Sequence, residues 1–141
     1  MSGAVVSLEK HQLWYNNIRE NLSGLQIINY WTNNWIPDKS RLSEGDTIYF
    51  RLGGVEVARG SYMFSKKQTV EKAFYDYGIS NGIKQNQTHS PEEFLYLINK
   101  SIGKKELNSI IGCILIKDLI VFKKPVSMNL KNKTVTRIMY I

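Results

Sequence analysis

The fold is decided by residues 44–64, which read EGDTIYFRLGGVEVARGSYMF. Two runs rich in β-branched and aromatic residues, 47–52 and 55–64, lie on either side of a Gly-Gly pair at 53–54. Runs of this composition favour β-strands, and paired glycines supply the positive φ angles of a tight turn. This stretch therefore predicts a β-hairpin.

The segments on both sides of the hairpin predict further strands and helices. Strands are expected at residues 26–31, 110–116, 119–122 and 134–141, and helices at 7–22, 69–77 and about 91–102. The last helix has the clearest start, because Ser90 can cap it, Pro91 takes its first position and Glu93 follows three residues after the cap. We expect 47–52, 55–64 and 110–116 to share one strongly curved sheet, with the Ser90 helix outside it.

These elements fit one α+β domain over residues 1–141, a length that supports a single core. We expect a curled sheet or pseudo-β-barrel with two or three flanking helices. Its parts would be a helical N-terminal arm at about 7–22, a barrel core at about 26–125 and a basic C-terminal strand or tail at 126–141.

Composition is that of an ordinary globular protein, with 43% hydrophobic and 22% charged residues. No apolar run approaches the roughly 20 residues of a membrane span, and the N-terminus lacks the features of a secretory signal. The lone cysteine, Cys113, excludes an internal disulfide and a multi-cysteine zinc site. Its place in an apolar run predicts a buried thiol, and together these features predict a cytoplasmic protein.

The charge favours an anionic partner, because the formal net charge is +7. From residue 119 to the end there are five basic residues and no acid, and between residues 39 and 67 six basic residues stand against three acids. No long basic amphipathic helix is evident. We therefore expect nucleic acid rather than a membrane as the partner.

Residue patterns typical of catalysis or metal binding are missing. His11 and His89 lie far apart, without a cysteine or acid cluster at ligand spacing. There is no Gly-x-Ser-x-Gly elbow and no phosphate-binding loop, and Asp46 and Asp118 fall in predicted turns. We expect no catalysis, no metal and no cofactor in this chain.

Aromatic residues are concentrated between residues 31 and 77. Most are expected to pack in the core. Tyr62 and Phe64 occupy alternate positions of a predicted strand, so they are expected to share a face just before Lys66 and Lys67. Aromatic rings with flanking cations suit base stacking combined with phosphate neutralisation.

Several segments, in order, resemble the PUA-like superfamily (EVE, ASCH and YTH types), and more narrowly the N-terminal domain of bacterial HNH-type putative restriction endonucleases. The resemblance covers about residues 26–125 and rests on YW at 30–31 with WIP at 35–37, EGDTIYFRL at 44–52, ARGSYMF at 58–64, AFYDYG at 73–78 with NG at 81–82, and IGCILIKD at 111–118.

This resemblance implies a pseudo-barrel whose mouth holds a flipped, often methylated base between aromatic walls. Trp35 matches the family's aromatic after the first strand, and Tyr62 and Phe64 match the strand that borders the pocket. Phe74 stands where many relatives have Trp, and residues 111–113 are expected in the core. A His-rich metal motif is absent from the sequence, so cleavage would reside in a nuclease domain or subunit outside this chain.

The sequence thus predicts a DNA-binding reader domain of a bacterial modification-dependent restriction system. The predicted base-pocket residues are Trp31, Trp35, Tyr62 and Phe64 as walls and Asn34 and Asn81 as readers of the base edge. The predicted phosphate contacts are Lys39, Arg41, Arg59, Lys66 and Lys67. Trp35 should lie partly exposed at the rim of a concave site, beside Tyr62 or Phe64.

Two alternatives remain open at this point. Relatives of the same fold read RNA, so an RNA-binding module is one of them. The other is a small enzyme or partner-binding domain with an incidental basic face. A pocket lined only by aliphatic groups, with His89 or Asp46 buried beside it, would favour the latter.

Overall fold

A computed structural model describes residues 3–21, 25–84, 89–127, 135 and 137–141. The elements within these ranges are β1 (Gly3–Ser7), α1 (Gln12–Asn21), β2 (Ile27–Thr32), β3 (Thr47–Leu52), β4 (Val55–Thr69), α2 (Val70–Tyr77), a short 3-10 helix (Gly78–Asn81), α3 (Pro91–Ser101), β5 (Ile110–Ser127) and β6 (Ile138–Tyr140).

The strands form a single mixed sheet in the order β2-β5-β4-β3-β1-β6. Strand β4 pairs antiparallel with both β3 and β5, whereas β1 runs parallel to β3. The sheet curls into a half-barrel that three α-helices accompany. The predicted α+β fold is confirmed, as is the prediction that 47–52, 55–64 and 110–116 share one sheet.

Irregular pairing along the two longest strands bends this sheet. The β4–β5 ladder shifts register at three places, and the β3–β4 ladder shifts between Phe50 and Arg51. Such bulges add twist and curvature. One of the bends replaces a predicted turn: Asp118 has a φ of 55° but lies inside β5. The two strands predicted at 110–116 and 119–122 are therefore one long, bent strand.

The N-terminal residues correct the predicted boundaries of the core. Strand β1 is buried along its whole length and lies between β3 and β6, so the sheet extends beyond residues 26–125 at both ends. A five-residue strand is too short to show a periodic pattern. Helix α1 begins at Gln12 rather than at residue 7. Its predicted end at residues 22–24 lies outside the described residues, as do Lys131 and Lys133 of the predicted tail.

Large aromatic side chains fill the core between the sheet and the helices. Trp14 of α1 packs against Tyr30 and Phe50, with ring centroids 5.2 and 5.7 Å away, and its indole N–H donates to the Asn29 carbonyl at 3.0 Å. Of the helices in the described ranges, none is long and apolar enough to cross a membrane.

Helix α3 begins as predicted. The Ser90 hydroxyl oxygen accepts a hydrogen bond from the Glu93 amide at 3.2 Å, and Pro91 is the first helical residue. The cap satisfies one of the amide groups that a helix start leaves without a partner.

Candidate functional site

A cavity of about 480 Å³ opens at one end of the sheet, where β1 and β2 both end and β6 begins. Its volume lies in the range of sites that enclose a small ligand. The buried residues Ser7, His11, Tyr30 and Val135 form what we call the floor. The more exposed residues form the rim: Glu9, Lys10, Asn33, Trp35, Ile102 and Arg137.

The floor is a polar network buried against the aromatic core. The Tyr30 hydroxyl donates to the Ser7 carbonyl at 2.9 Å, and Nε2 of His11 lies 2.8 Å from the Trp31 carbonyl. Because a carbonyl only accepts, Nε2 must carry the proton. In the neutral ring Nδ1 is then an acceptor, and it lies 3.4 Å from the Tyr30 hydroxyl oxygen, whose proton points to Ser7.

Burial decides the charge of this floor. The pKa of His11 is lowered to about 4, chiefly by desolvation; the hydrogen bond to the Trp31 carbonyl opposes part of this change, and the Lys10 charge adds to it. Burial also raises the pKa of Tyr30 far above its ordinary value. At neutral pH the floor is therefore uncharged, with a protonated phenol and a neutral imidazole.

The rim, in contrast, carries positive charge. Lys10 and Arg137 form no ion pair with any residue that the structure describes. Glu9 is the acid on the rim, and its carboxylate accepts a hydrogen bond from the Gly53 amide at 3.0 Å. The Arg137 guanidinium carbon lies 4.7 Å from the centre of the Trp35 ring, which is cation–π geometry.

Trp35 is held at the rim by the loop that follows β2. Thr32 anchors this loop twice: its hydroxyl accepts from the Trp35 amide at 3.3 Å and donates to the Trp35 carbonyl. On the neighbouring strand, Gly112 pairs with Thr32. A β-carbon at Gly112 would overlap the Trp35 carbonyl oxygen. The absence of a side chain there lets the loop fold across β5, as a glycine in a strand often does where another backbone approaches.

Trp35 is the predicted base-pocket residue that lines the cavity, and it is partly exposed. Trp31 is fully buried, and its indole N–H donates to the Asn81 carbonyl at 2.8 Å. Asn81 is equally buried; its amide donates to the carbonyls of Ala73 and Gly78, both at 3.0 Å. These two residues connect the sheet to the α2 region, so their placement corrects the prediction that they face a ligand.

The predicted alternation of Tyr62 and Phe64 fails because of a bulge. Tyr62 pairs with Ile116 and Phe64 with Leu115, so two residues of β4 advance against one of β5. Tyr62 is buried with its hydroxyl 2.7 Å from that of Ser65, whereas Phe64 is 45% exposed. Neither ring lines the cavity, and the structure does not bring them to Trp35. Asn34 is exposed in the loop, at a φ of 61°.

The five predicted phosphate contacts lie outside the cavity lining. Lys39 is exposed, and the Arg41 guanidinium lies 4.3 Å over the Tyr140 ring. Arg59 is already engaged in a bidentate ion pair with Glu56, at 2.8 and 2.9 Å. The guanidinium of Arg59 therefore already has a carboxylate partner within the protein, unlike the exposed lysines.

Lys66 and Lys67 are both exposed on β4. Lys67 pairs with Gly112 of β5, which in turn pairs with Thr32 of β2. This row places the two lysines at the end of the sheet where the Trp35 loop crosses. Because Lys67 and Thr32 are two strand spacings apart in this row, their backbones are about 10 Å apart.

His89 and Asp46, which the small-enzyme alternative would place beside the pocket, do not line the cavity. No group of three or more His, Cys, Asp or Glu there could hold a metal ion. His89 is exposed, with Nε2 2.9 Å from the Lys84 carbonyl, and Asp46 accepts from the Ser43 amide in its turn.

Sequence reasoning missed most of this site. Lys10, His11, Tyr30 and Arg137 come from segments far apart in the chain and share no motif. The lack of a cysteine or acid cluster at ligand spacing argues against a metal site at His11, but it does not bear on a role as a buried, neutral hydrogen-bonding group.

No protein-family model matches the chain, and no curated protein matches it. Among solved structures, the chain is similar to ASCH from Zymomonas mobilis, with a TM-score of 0.62 and 13% identity over 99% of this chain and 87% of that chain. For a single-substitution mutant of the same protein the TM-score is 0.63 and the identity 12%, over 99% of this chain and 89% of that chain. The N-terminal domain of Staphylothermus marinus McrB is less similar. Its TM-score is 0.40 and its identity 12%, over 89% of this chain and 76% of that chain.

The chain therefore shares the fold of ASCH, so the predicted resemblance is confirmed at the level of the fold. The narrower resemblance to the N-terminal domain of HNH-type endonucleases stays a prediction.

Proposed function

We propose that this domain binds nucleic acid, DNA in the first place, and holds one flipped base in the cavity next to Trp35 without performing catalysis. The observation that carries this proposal is the cavity itself. It combines a partly exposed indole, an uncharged polar floor and a cationic rim. A flipped base needs a stacking surface, hydrogen-bonding groups for its edge, and cations for the flanking phosphates.

The floor supports the role of reading a base edge. Nδ1 of His11 is an acceptor, and the Ser7 hydroxyl oxygen accepts a weak hydrogen bond from the Glu9 amide at 3.3 Å, which leaves its proton available. A donor and an acceptor in the lining of one cavity complement the edge of a base, which offers the same two kinds of group. A neutral floor also avoids placing an unpaired charge against an uncharged ring.

The surface beyond the rim supports contact with a polymer. Lys67 lies two strand spacings, roughly 10 Å, from Thr32, where the Trp35 loop begins. Phosphates that flank an extruded nucleotide pass at about this distance, since successive phosphates of one strand are several ångströms apart. Together with Lys39, Lys66 and Lys67 form the phosphate-binding surface that we propose, while Arg41 and Arg59 are held by Tyr140 and Glu56.

We further propose that the base is methylated, as in a modification-dependent restriction system. The test is a binding comparison on short duplexes that differ only in one central base: unmodified, 5-methylcytosine, 5-hydroxymethylcytosine or 6-methyladenine. The expected result is tighter binding to one modified duplex, with the preference lost in Trp35→Ala. The matched control is Tyr75→Ala, which removes an aromatic ring that is 70% exposed on α2, away from the cavity.

Two results would count against the proposal in different ways. Equal affinity for all four duplexes would leave a DNA-binding domain without modified-base recognition. Preference for single-stranded RNA in a competition with the duplexes would replace DNA by RNA as the ligand. Absence of binding to both polymers would reject a nucleic-acid function altogether.

A further inference from the structure

We propose that Arg137 and Trp35 form a closed pair that a nucleotide opens by exchange. The base ring replaces the guanidinium on the indole, and the freed guanidinium, together with Lys10, binds the phosphate of the same nucleotide. The ligand would then be a nucleotide unit with its own phosphate rather than a bare base. This inference rests on the proposed function and specifies the ligand of that site.

The geometry of the pair is the basis for the exchange. Both side chains belong to the cavity rim, and the guanidinium carbon of Arg137 lies 4.7 Å from the indole centre. One face of the partly exposed ring is therefore covered in the free protein, while the rest of Trp35 packs against the core cluster. A ring that enters the cavity to stack on the indole must move the guanidinium aside.

Energetics favour that movement. A cation–π contact at an exposed site is weaker than the stacking of a base on an aromatic ring. The displaced guanidinium keeps its donor groups, which match a phosphate better than an indole face. Lys10 lies on the same rim without an ion-pair partner among the described residues, so two cations can meet one phosphate.

The backbone at Arg137, directly before β6, can support such a change without unfolding. The Arg137 carbonyl accepts from the Ser7 amide at 3.4 Å, and β6 pairs with β1 from Val6 to Ala4. The backbone at this position is thus attached to the sheet, and the exchange needs only rotation of the long, flexible arginine side chain.

Titration calorimetry with mononucleotides and their nucleosides tests the proposal directly. The probes are dAMP and dCMP, each compared with deoxyadenosine and deoxycytidine. For the native chain we expect one nucleotide to bind roughly 10-fold or more tightly than its nucleoside, from charge-assisted hydrogen bonds to the phosphate. Lys10→Ala should reduce that ratio by weakening nucleotide binding more than nucleoside binding.

Arg137→Ala gives the decisive result, because the exchange predicts effects of opposite sign. Nucleoside binding should become tighter, by about two- to five-fold, since the indole is no longer covered. Nucleotide binding should become weaker, since a phosphate ligand is lost. A purely structural role would weaken both, and a guanidinium that never meets the ligand would leave both unchanged. Either result overturns the proposal.

Two further variants keep the result interpretable. Arg137→Lys retains the charge but not the planar stack, so it should keep part of the phosphate preference even if Arg137→Ala is poorly folded. Arg19→Ala removes another stacked arginine, 5.5 Å over Tyr15 on α1 and outside the cavity, and should change neither affinity.

Failure of this inference can be told apart from failure of the proposed function. A chain that binds a modified duplex but no mononucleotide would contradict the exchange and leave the reader function standing. A chain that binds neither would contradict both.

Discussion

The carbonyl oxygen of Trp35 occupies the space where any residue other than glycine at position 112 would place its β-carbon. The loop that carries the rim indole therefore depends on one backbone position of β5, at the end of the sheet where the loop crosses. Residue 112 belongs to the strand that sequence reasoning assigned to the core. This contact therefore links the packing of β5 to the position of the Trp35 ring at the candidate site.

Replacing Gly112 by Ala is expected to displace the Trp35 loop. The added methyl group would overlap the Trp35 carbonyl and the Thr32 hydroxyl, and overpacking of this kind typically costs about 1–3 kcal/mol of unfolding free energy. Because the loop must move, affinity for the preferred duplex should fall as well. Urea unfolding and fluorescence anisotropy on the same sample measure the two effects.

A core substitution on the same strand provides the control. Ile111→Val removes one buried methylene and should cost about 0.5–1.5 kcal/mol of stability while leaving the loop in place. If both variants lose affinity in proportion to their stability, then Gly112 has no special relation to the site.

The variant Trp35→Ala tests whether Trp35 acts as a ligand-binding residue of the rim or as a residue of the core. The partly exposed ring should contribute about 1–3 kcal/mol of stacking to binding. Its removal should lower stability by less than the roughly 3–5 kcal/mol typical of a fully buried Trp. Thermal unfolding and duplex affinity are measured together, with Trp31→Ala as the buried comparison. A Trp35→Ala protein that keeps its preference for modified DNA would remove this residue from the site.

The strands and helices that could be predicted are those with strong local signals. The hairpin of β3 and β4 follows from β-branched runs around Gly53 and Gly54, and α3 follows from the Ser90 cap and Pro91. These signals depend on residues a few positions apart, so they can be read without knowledge of the fold.

The candidate site could be predicted only in part, because its geometry depends on long-range pairing. Trp35 was found through the resemblance, but Tyr62 and Phe64 were misplaced by a bulge that no local pattern reveals. Lys10 and Arg137 meet at one cavity only because β6 pairs with β1. Sequence alone gives no account of that pairing.

The phosphate-binding surface is tested by salt dependence. If Lys66 and Lys67 each neutralise a phosphate, replacing both by Ala should make the log–log slope of affinity against salt shallower by about 0.9 per contact on duplex DNA. Binding to modified and unmodified duplexes should weaken about equally, because phosphate contacts carry no base information.

Arg59→Ala is the informative comparison for that surface. Its guanidinium is bound to Glu56, and this hydrogen bond, together with the Glu56 charge, raises the pKa of Arg59. Its removal should change the salt slope less than the double lysine variant does. An equal change would mean that the ion pair opens on binding and that Arg59 contacts phosphate as predicted from the sequence.

The buried histidine makes stability depend on pH in a defined window. His11 takes up its proton near its ordinary pKa of 6.5 in the unfolded chain but only at about 4 in the folded protein, chiefly because burial disfavours the charged ring. Between these values the unfolded state holds more protons. The free energy of unfolding should therefore fall as the pH decreases from about 6.5 to about 4, by about 3 kcal/mol from this residue alone.

Comparison with a variant isolates this effect from the carboxylates. Asp38 and Asp76 also have lowered pKa values, through hydrogen bonds to Ser40 and to Gln68, so their stabilisation is lost as well when the pH falls. We expect the stability difference between the native chain and His11→Gln, from urea unfolding at several pH values, to shrink steadily below pH 6.5. The exposed His89→Gln should follow the native profile. A difference between the native chain and His11→Gln that stays constant down to pH 4 would mean that folding does not lower the pKa of His11, so that the floor of the cavity becomes charged below about pH 6.5.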